Sequence, residues 1–136
     1  MTHWPNVVFI GPIKTGTTWI YDYLSELQDV TLPVGTKETF FFDRNFAQGP
    51  AIYSGVFPDQ TPHKRIEVSP SYGGKREALE NIHATVPDAH IVITLREPVA
   101  RTISQYWHSV RYGYFKEPLE AYLQADHSLL VRSNYP

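Results

Sequence analysis

Short apolar runs alternate with amphipathic stretches along the chain, and this alternation predicts most of its secondary structure. Three apolar runs are typical of buried strands: Asn6 to Ile10, Arg65 to Ser69, and His90 to Leu95. The stretches between and after them repeat apolar residues at helical spacing. They predict helices over Thr17 to Leu27, Lys75 to Thr85, Pro98 to about Val110, and Pro118 to Gln124. This order predicts an α/β fold with a central parallel sheet flanked by helices.

The first predicted helix carries a core-facing apolar stripe, made of Ile20, Tyr23, Leu24 and Leu27. Thr31 to Gly35 predicts a turn or a short extended piece. Lys37 to Asp43 is apolar with charged ends, which predicts either a strand end or a tight loop over a site. Asn45 to Thr61 is rich in Gly, Pro and Tyr, so we expect a long irregular excursion there. Ser128 to Pro136 shows no pattern of a closing strand or helix.

Composition and charge exclude several classes of protein. At 136 residues and 42% hydrophobic residues, the chain is large enough for one domain and too apolar for disorder. A net charge of −2 gives no general attraction to nucleic acid or acidic membranes. The absence of cysteine excludes disulfides and thiolate sites, and the histidines lack metal-ligand spacing, so no metal is expected. No apolar run reaches membrane-spanning length and no signal peptide is recognisable, which predicts a cytoplasmic protein.

The clearest chemical signal is a glycine-bracketed turn between the first strand and the first helix, in the stretch from Val7 to Trp19 (VVFIGPIKTGTTW). Backbone N–H groups and the helix dipole converge on such a turn and attract a phosphate. Nucleoside triphosphatases place a lysine directly after the second glycine, but here Thr17 follows Gly16. The lysine lies inside the turn instead, at Lys14. The turn therefore predicts a phosphorylated ligand and a reaction other than ATP hydrolysis.

Two segments resemble the nucleotide-binding motifs of sulfotransferases that use 3′-phosphoadenosine 5′-phosphosulfate (PAPS). Lys14 to Trp19 (KTGTTW) resembles their 5′-phosphosulfate loop. Arg96 at a strand end and Ser104 eight residues later resemble the pair that holds the 3′-phosphate, a grip that suits a phosphate monoester. The resemblance implies a P-loop nucleotide-binding fold with PAPS as sulfuryl donor. The cofactor-binding residues that it implies are Lys14, Thr15, Gly16, Thr17, Thr18, Trp19, Arg96 and Ser104.

A third segment concerns the catalytic base. Lys37-Glu38, followed by three phenylalanines and Asp43, resembles the Lys-Glu-x-x-Phe-Phe segment of glycan sulfotransferases, including the heparan sulfate N- and 3-O-sulfotransferases. In those relatives the glutamate deprotonates the acceptor, which implies Glu38 as base, with Lys14 and Lys37 as catalytic cations. Partial desolvation beside the phenylalanines is expected to raise the pKa of Glu38 toward that of a useful base. The alternative is an ordinary Lys–Glu pair on the surface.

Glu67 to Tyr72 (EVSPSY) resembles another segment of the same relatives, Glu-Lys-Ser/Thr-Pro-x-Tyr. Val68 replaces the lysine, an active-site cation in those relatives, and this departure weakens the case for a heparan-like acceptor. Glu67 either orients Lys37 or the acceptor, or serves as a structural hydrogen-bonding partner. Arg101 is either a further cation for the ligand or a surface charge. Three residues after it are expected to serve in packing: Tyr106, Trp107 and His108.

The resemblance as a whole implies a sulfotransferase that moves a sulfuryl group from PAPS to an acceptor hydroxyl or amine, on a glycan or another small molecule. It covers only the N-terminal and middle portion of such enzymes. We therefore expect a single domain, residues 1–136, without the family's C-terminal portion. Two alternatives stay open: a nucleotide-binding or interaction module without turnover, and a P-loop kinase or NTPase. The kinase alternative lacks both the lysine after Gly16 and an aspartate that ends a core strand for Mg²⁺.

Overall fold

The computed structural model of the protein describes residues 3–58 and 64–125, and this part of the chain contains a sheet of parallel strands. The strands are β1 (Val7–Ile10), β2 (Val30–Thr31), β3 (Lys64–Val68) and β4 (His90–Ile93), in the spatial order β2-β3-β1-β4. In register, Val8 of β1 lies between Glu67 of β3 and Ile91 of β4. The inner strand β1 therefore delivers the glycine-bracketed turn, residues 11–16 and here called the P-loop, to the middle of the sheet edge.

Helices cover both faces of this sheet. They are α1 (Thr17–Ser25), α2 (Arg76–Thr85), α3 (Pro98–Arg111) and α4 (Leu119–Gln124). The predicted α/β fold with a central parallel sheet flanked by helices is confirmed. Pro98 is the first residue of α3, where its missing N–H leaves no helical hydrogen bond unmade.

Alternating residues of β1 build two apolar cores, one on each face of the sheet. Val8 and Ile10 point to one face, where aromatic residues and α2 pack on them. The buried members of that core are Val8, Ile10, Phe41, Phe42, Tyr53, Phe57, Tyr72, Ala78 and Ile82. Val7 and Phe9 point to the opposite face and pack with Leu24 of α1. Because successive side chains of a strand point to opposite faces, the continuous apolar run of β1 requires cover on both.

The aromatic segment after β2 folds as short turns. Phe41–Asn45 forms a single π-helical turn, and Phe46–Gln48 and Pro50–Tyr53 form 3₁₀ turns. Their rings pack on one another and on Trp4, which stacks on Tyr53 with ring centroids 4.7 Å apart. Aromatic packing, rather than backbone pairing, holds this segment against the sheet.

Of the two alternatives for Lys37 to Asp43, the loop is correct, since no described strand includes these residues. The irregular excursion predicted from Asn45 to Thr61 is confirmed up to residue 58, and residues 59–63 lie outside the described part. Ser128 to Pro136 also lies outside it.

Two predictions about burial are wrong. His90 to Leu95 was expected as a buried strand, but in the described part of the sheet β4 is an edge strand and Ile93 is 58% exposed. An apolar run predicts a strand that is able to be buried, but it does not reveal whether the strand lies at the centre or at the edge of the sheet. Tyr23, expected in the core-facing stripe of α1, is exposed and stacks on Trp19. The other residues of the stripe do pack in the core: Ile20, Leu24 and Leu27.

One polar face of α3 is buried. Arg101 is 1% exposed, which overturns the prediction of a surface charge, and Gln105 and Ser109 follow it on the same face. Arg101 does not line the cavity described below, so it is not a cation of that cavity either. Tertiary packing decides the burial of this face, and residue types alone do not reveal it.

Gly73 allows the turn after β3 to pack directly on the P-loop. A Cβ on Gly73 would lie 2.8 Å from the backbone N and C atoms of Gly11. Gly73→Ala is therefore expected to lower the free energy of unfolding by about 1–3 kcal/mol, because one backbone must move away from the other. Gly74→Ala is the matched control, since a Cβ there meets nothing within 4 Å. Urea denaturation measures both; equal stabilities would contradict the direct packing of the two backbones.

Candidate active site

The P-loop leads from β1 into α1 through two residues with positive φ. Gly16 has a φ of 91°, and Lys14 has a φ of 70°, which is unusual for a residue with a Cβ. No side chain caps the N-terminus of α1. The first backbone N–H groups of any α-helix have no intrahelical partner, and those of α1 are not capped by a side chain either. They form the positive end of the helix dipole. Strain at a non-glycine residue next to such a helix end is typical of functional sites.

A cavity of about 350 Å³ lies beyond the carboxyl ends of the strands. It is bounded by the P-loop, the start of α1, the Lys37–Glu38 turn and α3. The lining residues are Ile13, Lys14, Gly16, Thr17, Thr18, Lys37, Glu38, Pro70, Arg96, Ser104, Gln105 and His108. Open parallel sheets bind ligands at this edge. The fold therefore brings Arg96 and Ser104 to the same cavity as the P-loop, although they are far from it in sequence.

Cations from three separate segments converge on this cavity. Lys37 Nζ donates a hydrogen bond to Thr18 Oγ1 over 2.9 Å, across the start of α1. Arg96 Nη1 donates to the carbonyl oxygen of Lys14 over 3.3 Å. Lys37 thus bonds a hydroxyl of α1, and no ion pair between Lys37 and Glu38 occurs among the described contacts, which argues against an ordinary surface pair.

The positive charges repel one another. Burial lowers the pKa of Lys14, and the like charges of Arg111, Arg96 and Lys37 lower it further. Lys14 Nζ donates to His108 Nδ1 over 3.4 Å, so its hydrogen-bond partner is an imidazole ring and not a carboxylate. A bound anion would relieve this repulsion, and the cavity is therefore suited to anionic ligands.

Glu38 brings a carboxylate into this positive cavity, and among the described lining residues it is the sole one. Burial raises the pKa of Glu38. Lys37 and Arg44 oppose the rise, whereas Asp43 and Glu67 add to it. The direction agrees with the desolvation expected from the sequence. A carboxylate whose pKa lies above its ordinary value is suited to take a proton from a substrate group.

His108 is a cavity residue that the sequence interpretation missed. It lies one helical turn after Ser104 on the same face of α3. Together with Trp107 and Arg111 it also borders an adjoining recess of about 220 Å³. Burial lowers the pKa of His108, and the charges of Lys14 and Arg111 lower it further, which favours the neutral ring. The four-residue spacing from Ser104 is the sequence signal that identifies it.

The three residues after Arg101 that were expected to pack, Tyr106, Trp107 and His108, differ in their surroundings. Tyr106 is buried and packs on Tyr122 of α4 with ring centroids 5.4 Å apart, as expected. Trp107 is exposed, although its ring contacts that of Tyr106 edge-on. His108 packs on the ring of Tyr112 with centroids 4.6 Å apart and, beyond the expectation, also lines the cavity. Three further lining residues carried no sequence signal: Ile13, Pro70 and Gln105.

Two of the predicted cofactor residues do not line the cavity. Thr15 Oγ1 donates to the carbonyl oxygen of Pro12 over 2.9 Å and hydrogen-bonds Thr94 Oγ1 at 2.7 Å, so it ties the P-loop to the end of β4. Trp19 is 70% exposed and stacks on Tyr23. Their direct contact with a nucleotide stays a prediction. The other six predicted residues line the cavity: Lys14, Gly16, Thr17, Thr18, Arg96 and Ser104.

The N-terminus of α3 differs from that of α1, because a carboxylate caps it. Glu97 accepts hydrogen bonds from the backbone N–H groups of Ala100 (2.7 Å) and Val99 (2.9 Å), and these two bonds lower the pKa of Glu97. The cap satisfies the N–H groups of α3 and opposes its dipole. Of these two helices, α1 is thus the one whose N-terminus is open to an anion.

Among residues 3–58 and 64–125, no three His, Cys, Asp or Glu side chains come together as a metal site would require. In the same part of the chain, no helix has the length and apolar character needed to cross a bilayer.

Comparison with known proteins places these features in context. No protein-family profile matches the chain. The chain is 36% identical over 103 residues to heparan sulfate glucosamine 3-O-sulfotransferase 6 of Homo sapiens, a match that covers 75% of this chain and 30% of that protein. It is 30% identical over 128 residues to the bifunctional heparan sulfate N-deacetylase/N-sulfotransferase of Drosophila melanogaster, covering 80% of this chain and 12% of that protein.

The fold is similar to the crystal structure of a sulfotransferase from Alicyclobacillus acidocaldarius, with a TM-score of 0.76 and 25% sequence identity. This match covers 98% of this chain and 61% of that one. The P-loop nucleotide-binding fold expected from the sequence is confirmed. The chain spans 30% or less of the length of the two curated relatives named above.

Proposed function

Because the chain belongs to the sulfotransferase family, we propose that it transfers a sulfuryl group from PAPS to a hydroxyl or amine of an acceptor. The observation that carries the proposal is the cavity itself. Lys14, Lys37 and Arg96 line it, the N-terminus of α1 opens into it, and one carboxylate, Glu38, stands among them in the described residues. Cations suit the phosphates of the donor, and a carboxylate suits the removal of a proton from the acceptor.

The residues present fit a nucleotide with two separate phosphate groups. The backbone N–H groups at the start of α1, the hydroxyls of Thr17 and Thr18, and the ammonium of Lys14 would hold the 5′ end. The guanidinium of Arg96 and the hydroxyl of Ser104 would hold the 3′-phosphate. The mutual repulsion that lowers the pKa of Lys14 supports this assignment, because bound phosphates would compensate it.

Each reacting group has a residue of suitable chemistry in the cavity. PAPS, when bound, supplies the sulfuryl group and a phosphate leaving group. Glu38 takes the proton from the acceptor O–H or N–H through a carboxylate oxygen, while Lys14 stabilises negative charge that develops at the leaving phosphate. Lys37, held by Thr18, contributes a second positive charge beside Glu38. The chain thus combines acceptor deprotonation with stabilisation of the leaving group.

The acceptor that we propose is a glycan. Two relatives carry heparan sulfate in their names, and exposed aromatic rings next to the cavity suit the flat faces of sugars. Tyr112 and Tyr114 stack with ring centroids 6.1 Å apart, and the ring of His108 lies 4.6 Å from that of Tyr112. Arg111 in the adjoining recess suits an acidic group on such a sugar. Val68, which replaces the lysine of the relatives, is buried in the core and brings no charge to the cavity.

Binding of 3′,5′-adenosine bisphosphate tests the donor site. We expect Arg96→Ala to weaken this binding by about 10- to 100-fold, because a charged hydrogen-bond donor to the 3′-phosphate is lost. Titration calorimetry measures the affinity for the bisphosphate, and the same titration with ATP·Mg²⁺ serves as the comparison. Arg76→Ala is the matched control, since Arg76 is an exposed arginine that pairs with Glu80 on α2.

Preference for ATP over the bisphosphate would contradict the donor assignment, and so would equal affinities in Arg96→Ala and wild type. Turnover is then measured as transfer of labelled sulfate from PAPS to heparan sulfate oligosaccharides and to a simple phenol. Transfer to the phenol alone would contradict the glycan acceptor. Bisphosphate binding without transfer to any acceptor would favour a binding module. The cytoplasmic location stays a prediction.

A further inference from the structure

Glu67 is a buried carboxylate whose hydrogen bonds, among the described side chains, all go to hydroxyl groups. It is 0% exposed and lies on β3, beside β1. Oε1 accepts hydrogen bonds from Thr39 Oγ1 (2.5 Å), Tyr72 OH (2.7 Å) and Ser69 Oγ (2.9 Å). Oε2 accepts one from Tyr53 OH (2.6 Å). In the described part of the chain no lysine or arginine forms an ion pair with it.

The four hydroxyl groups match the hydrogen-bonding capacity of a carboxylate group. An ionised carboxylate accepts only and offers about four lone-pair positions, whereas a protonated one would need an acceptor for its own hydrogen. Burial raises the pKa of Tyr53 and of Tyr72, and the charge of Glu67 raises both further, so the two phenols stay protonated and donate. A buried charge that loses its donors costs several kcal/mol. The four hydroxyl groups are therefore strongly held in place around Glu67.

One of these hydroxyl groups belongs to the segment that carries the proposed base. Thr39 follows Glu38 directly, and its Oγ1 also accepts a hydrogen bond from the backbone N–H of Phe41 over 3.2 Å. Between the two, Phe40 has a φ of 51°, so the main chain turns sharply there. The bond from Thr39 to Glu67 holds this turn against β3.

The other side-chain hydrogen bonds of residues 36–38 are weaker. Thr36 Oγ1 donates to the carbonyl oxygen of Glu38 over 2.8 Å, and Lys37 Nζ donates to Thr18 Oγ1 over 2.9 Å. Both bonds are exposed, where water competes for the same groups. The contact between Thr39 and the buried carboxylate is therefore the firmest hydrogen bond next to Glu38, which directly precedes Thr39.

We propose that Glu67 is a positioning residue for sulfuryl transfer, which through Thr39 fixes where the Glu38 carboxylate stands in the cavity. The proposal rests on the proposed function, in which Glu38 is the base. Lys37 donates its hydrogen bond to Thr18 and not to Glu67, so Glu67 acts on the turn through Thr39. The charge of Glu67 also contributes to the raised pKa of Glu38.

Two variants loosen the contact between Thr39 and Glu67 from opposite ends. Thr39→Val keeps the shape of the side chain and removes the hydroxyl. Glu67→Gln keeps the size of the side chain and replaces one accepting oxygen by a donating NH₂ group. We expect both to lower kcat by about 10- to 100-fold, because a displaced base meets the acceptor poorly, with less than a twofold change in bisphosphate affinity. Labelled-sulfate transfer and titration calorimetry measure the two quantities.

Tyr53→Phe is the matched control for a purely structural role. It removes a hydroxyl donor to the same carboxylate, but at Oε2, on the side away from Thr39. We expect it to lower the melting temperature at least as much as Thr39→Val does while kcat stays within twofold of wild type. Equal losses of kcat in Thr39→Val and Tyr53→Phe would overturn the proposal. If Glu67→Gln does not fold, Thr39→Val decides alone.

A titration of the Glu38 carboxyl carbon by ¹³C NMR gives a readout that needs no acceptor. In Glu67→Gln, loss of the Glu67 charge is expected to lower the pKa of Glu38. Thr39→Val is expected to shift the resonance of the Glu38 carboxyl carbon, whereas Tyr53→Phe is expected to leave it unchanged. An unchanged Glu38 resonance in both Glu67→Gln and Thr39→Val would overturn the link between the two carboxylates. If wild type shows no transfer but the resonance responds as expected, the proposed function fails and the positional link stands.

Discussion

Glu38→Gln is expected to lower turnover by about 10²- to 10⁴-fold while the bisphosphate still binds with near-normal affinity, because the amide cannot take the acceptor proton. Glu38 lines the cavity beside Lys14, Lys37 and Arg96, yet the groups assigned to the nucleotide do not include it. Loss of rate without loss of donor affinity is therefore the signature of the base. Glu26→Gln is the matched control, since Glu26 is exposed at the end of α1.

The pH dependence follows from the direction of the Glu38 shift. Burial raises the pKa of Glu38 above its ordinary value of 4.5, and only the ionised carboxylate can act as base. The rate in wild type is thus expected to rise with pH through an apparent pKa above 4.5, and this limb should be absent in Glu38→Gln. Near-normal turnover in Glu38→Gln, with bisphosphate binding intact, would refute the assignment.

The same shift gives a stability test with the opposite sign. Folding favours the protonated form of a carboxyl whose pKa is raised. The stability that this form contributes is fully present below the unfolded pKa and is lost as pH rises through the folded pKa. The difference in melting temperature, Glu38→Gln minus wild type, is therefore expected to be more positive at pH 7 than at pH 4. Such a gain in stability would mean that the ionised carboxylate, although needed for activity, destabilises the fold.

Lys14→Met is expected to lower turnover by about 10²- to 10³-fold, because the positive charge that we assign to the leaving phosphate is removed. Bisphosphate affinity should fall less than the rate does, since the N–H groups of α1 and the guanidinium of Arg96 remain. Kinetics at saturating donor separates the two effects. Lys116→Met is the matched control, an exposed lysine beyond α3.

Lys14→Gly separates chemistry from backbone strain. A φ of 70° suits glycine, so this variant is expected to be more stable than Lys14→Met by about 1 kcal/mol and equally slow. Recovery of turnover in Lys14→Gly would mean that loop geometry, and not the ammonium group, is what the reaction requires. Turnover in Lys14→Met within a few fold of wild type would contradict the role of the charge.

Local signals predicted the centre of the site. Apolar runs identified the strands, and the change from strand to helical spacing around Gly11 and Gly16 placed the P-loop on the edge of the sheet. Arg96 and Ser104 follow a strand parallel to β1, and parallel strands end at the same edge, so their convergence on the P-loop follows from topology. The roles of Arg96 and Ser104 were implied by the resemblance to sulfotransferase motifs, and the direction of the strands explains why they meet the P-loop.

Features that depend on contacts between distant segments escaped prediction. His108 belongs to the cavity because α3 turns the face of Ser104 toward Lys14, and its spacing from Ser104 is the one local signal for it. The burial of Arg101 depends on the same packing of α3, since Arg101 precedes Ser104 and Gln105 on that side of the helix. Trp19 points outward because α1 packs on the sheet through Leu24. Period and spacing define which residues share a face, but the tertiary packing decides where each face points.

The contact of Gly73 with Gly11 bears on how this site can diversify. Backbone packs on backbone there, and Tyr72 of the same turn donates to Glu67. The P-loop, β3 and the turn that carries the proposed base are therefore in contact with one another. A substitution that shifts one of these segments is therefore expected to displace the others. The exposed side chains of α3 that border the recess carry no such constraint, as Trp107 and Arg111 illustrate. Directed evolution toward new acceptors is therefore best started on α3, with the glycine contact left unchanged.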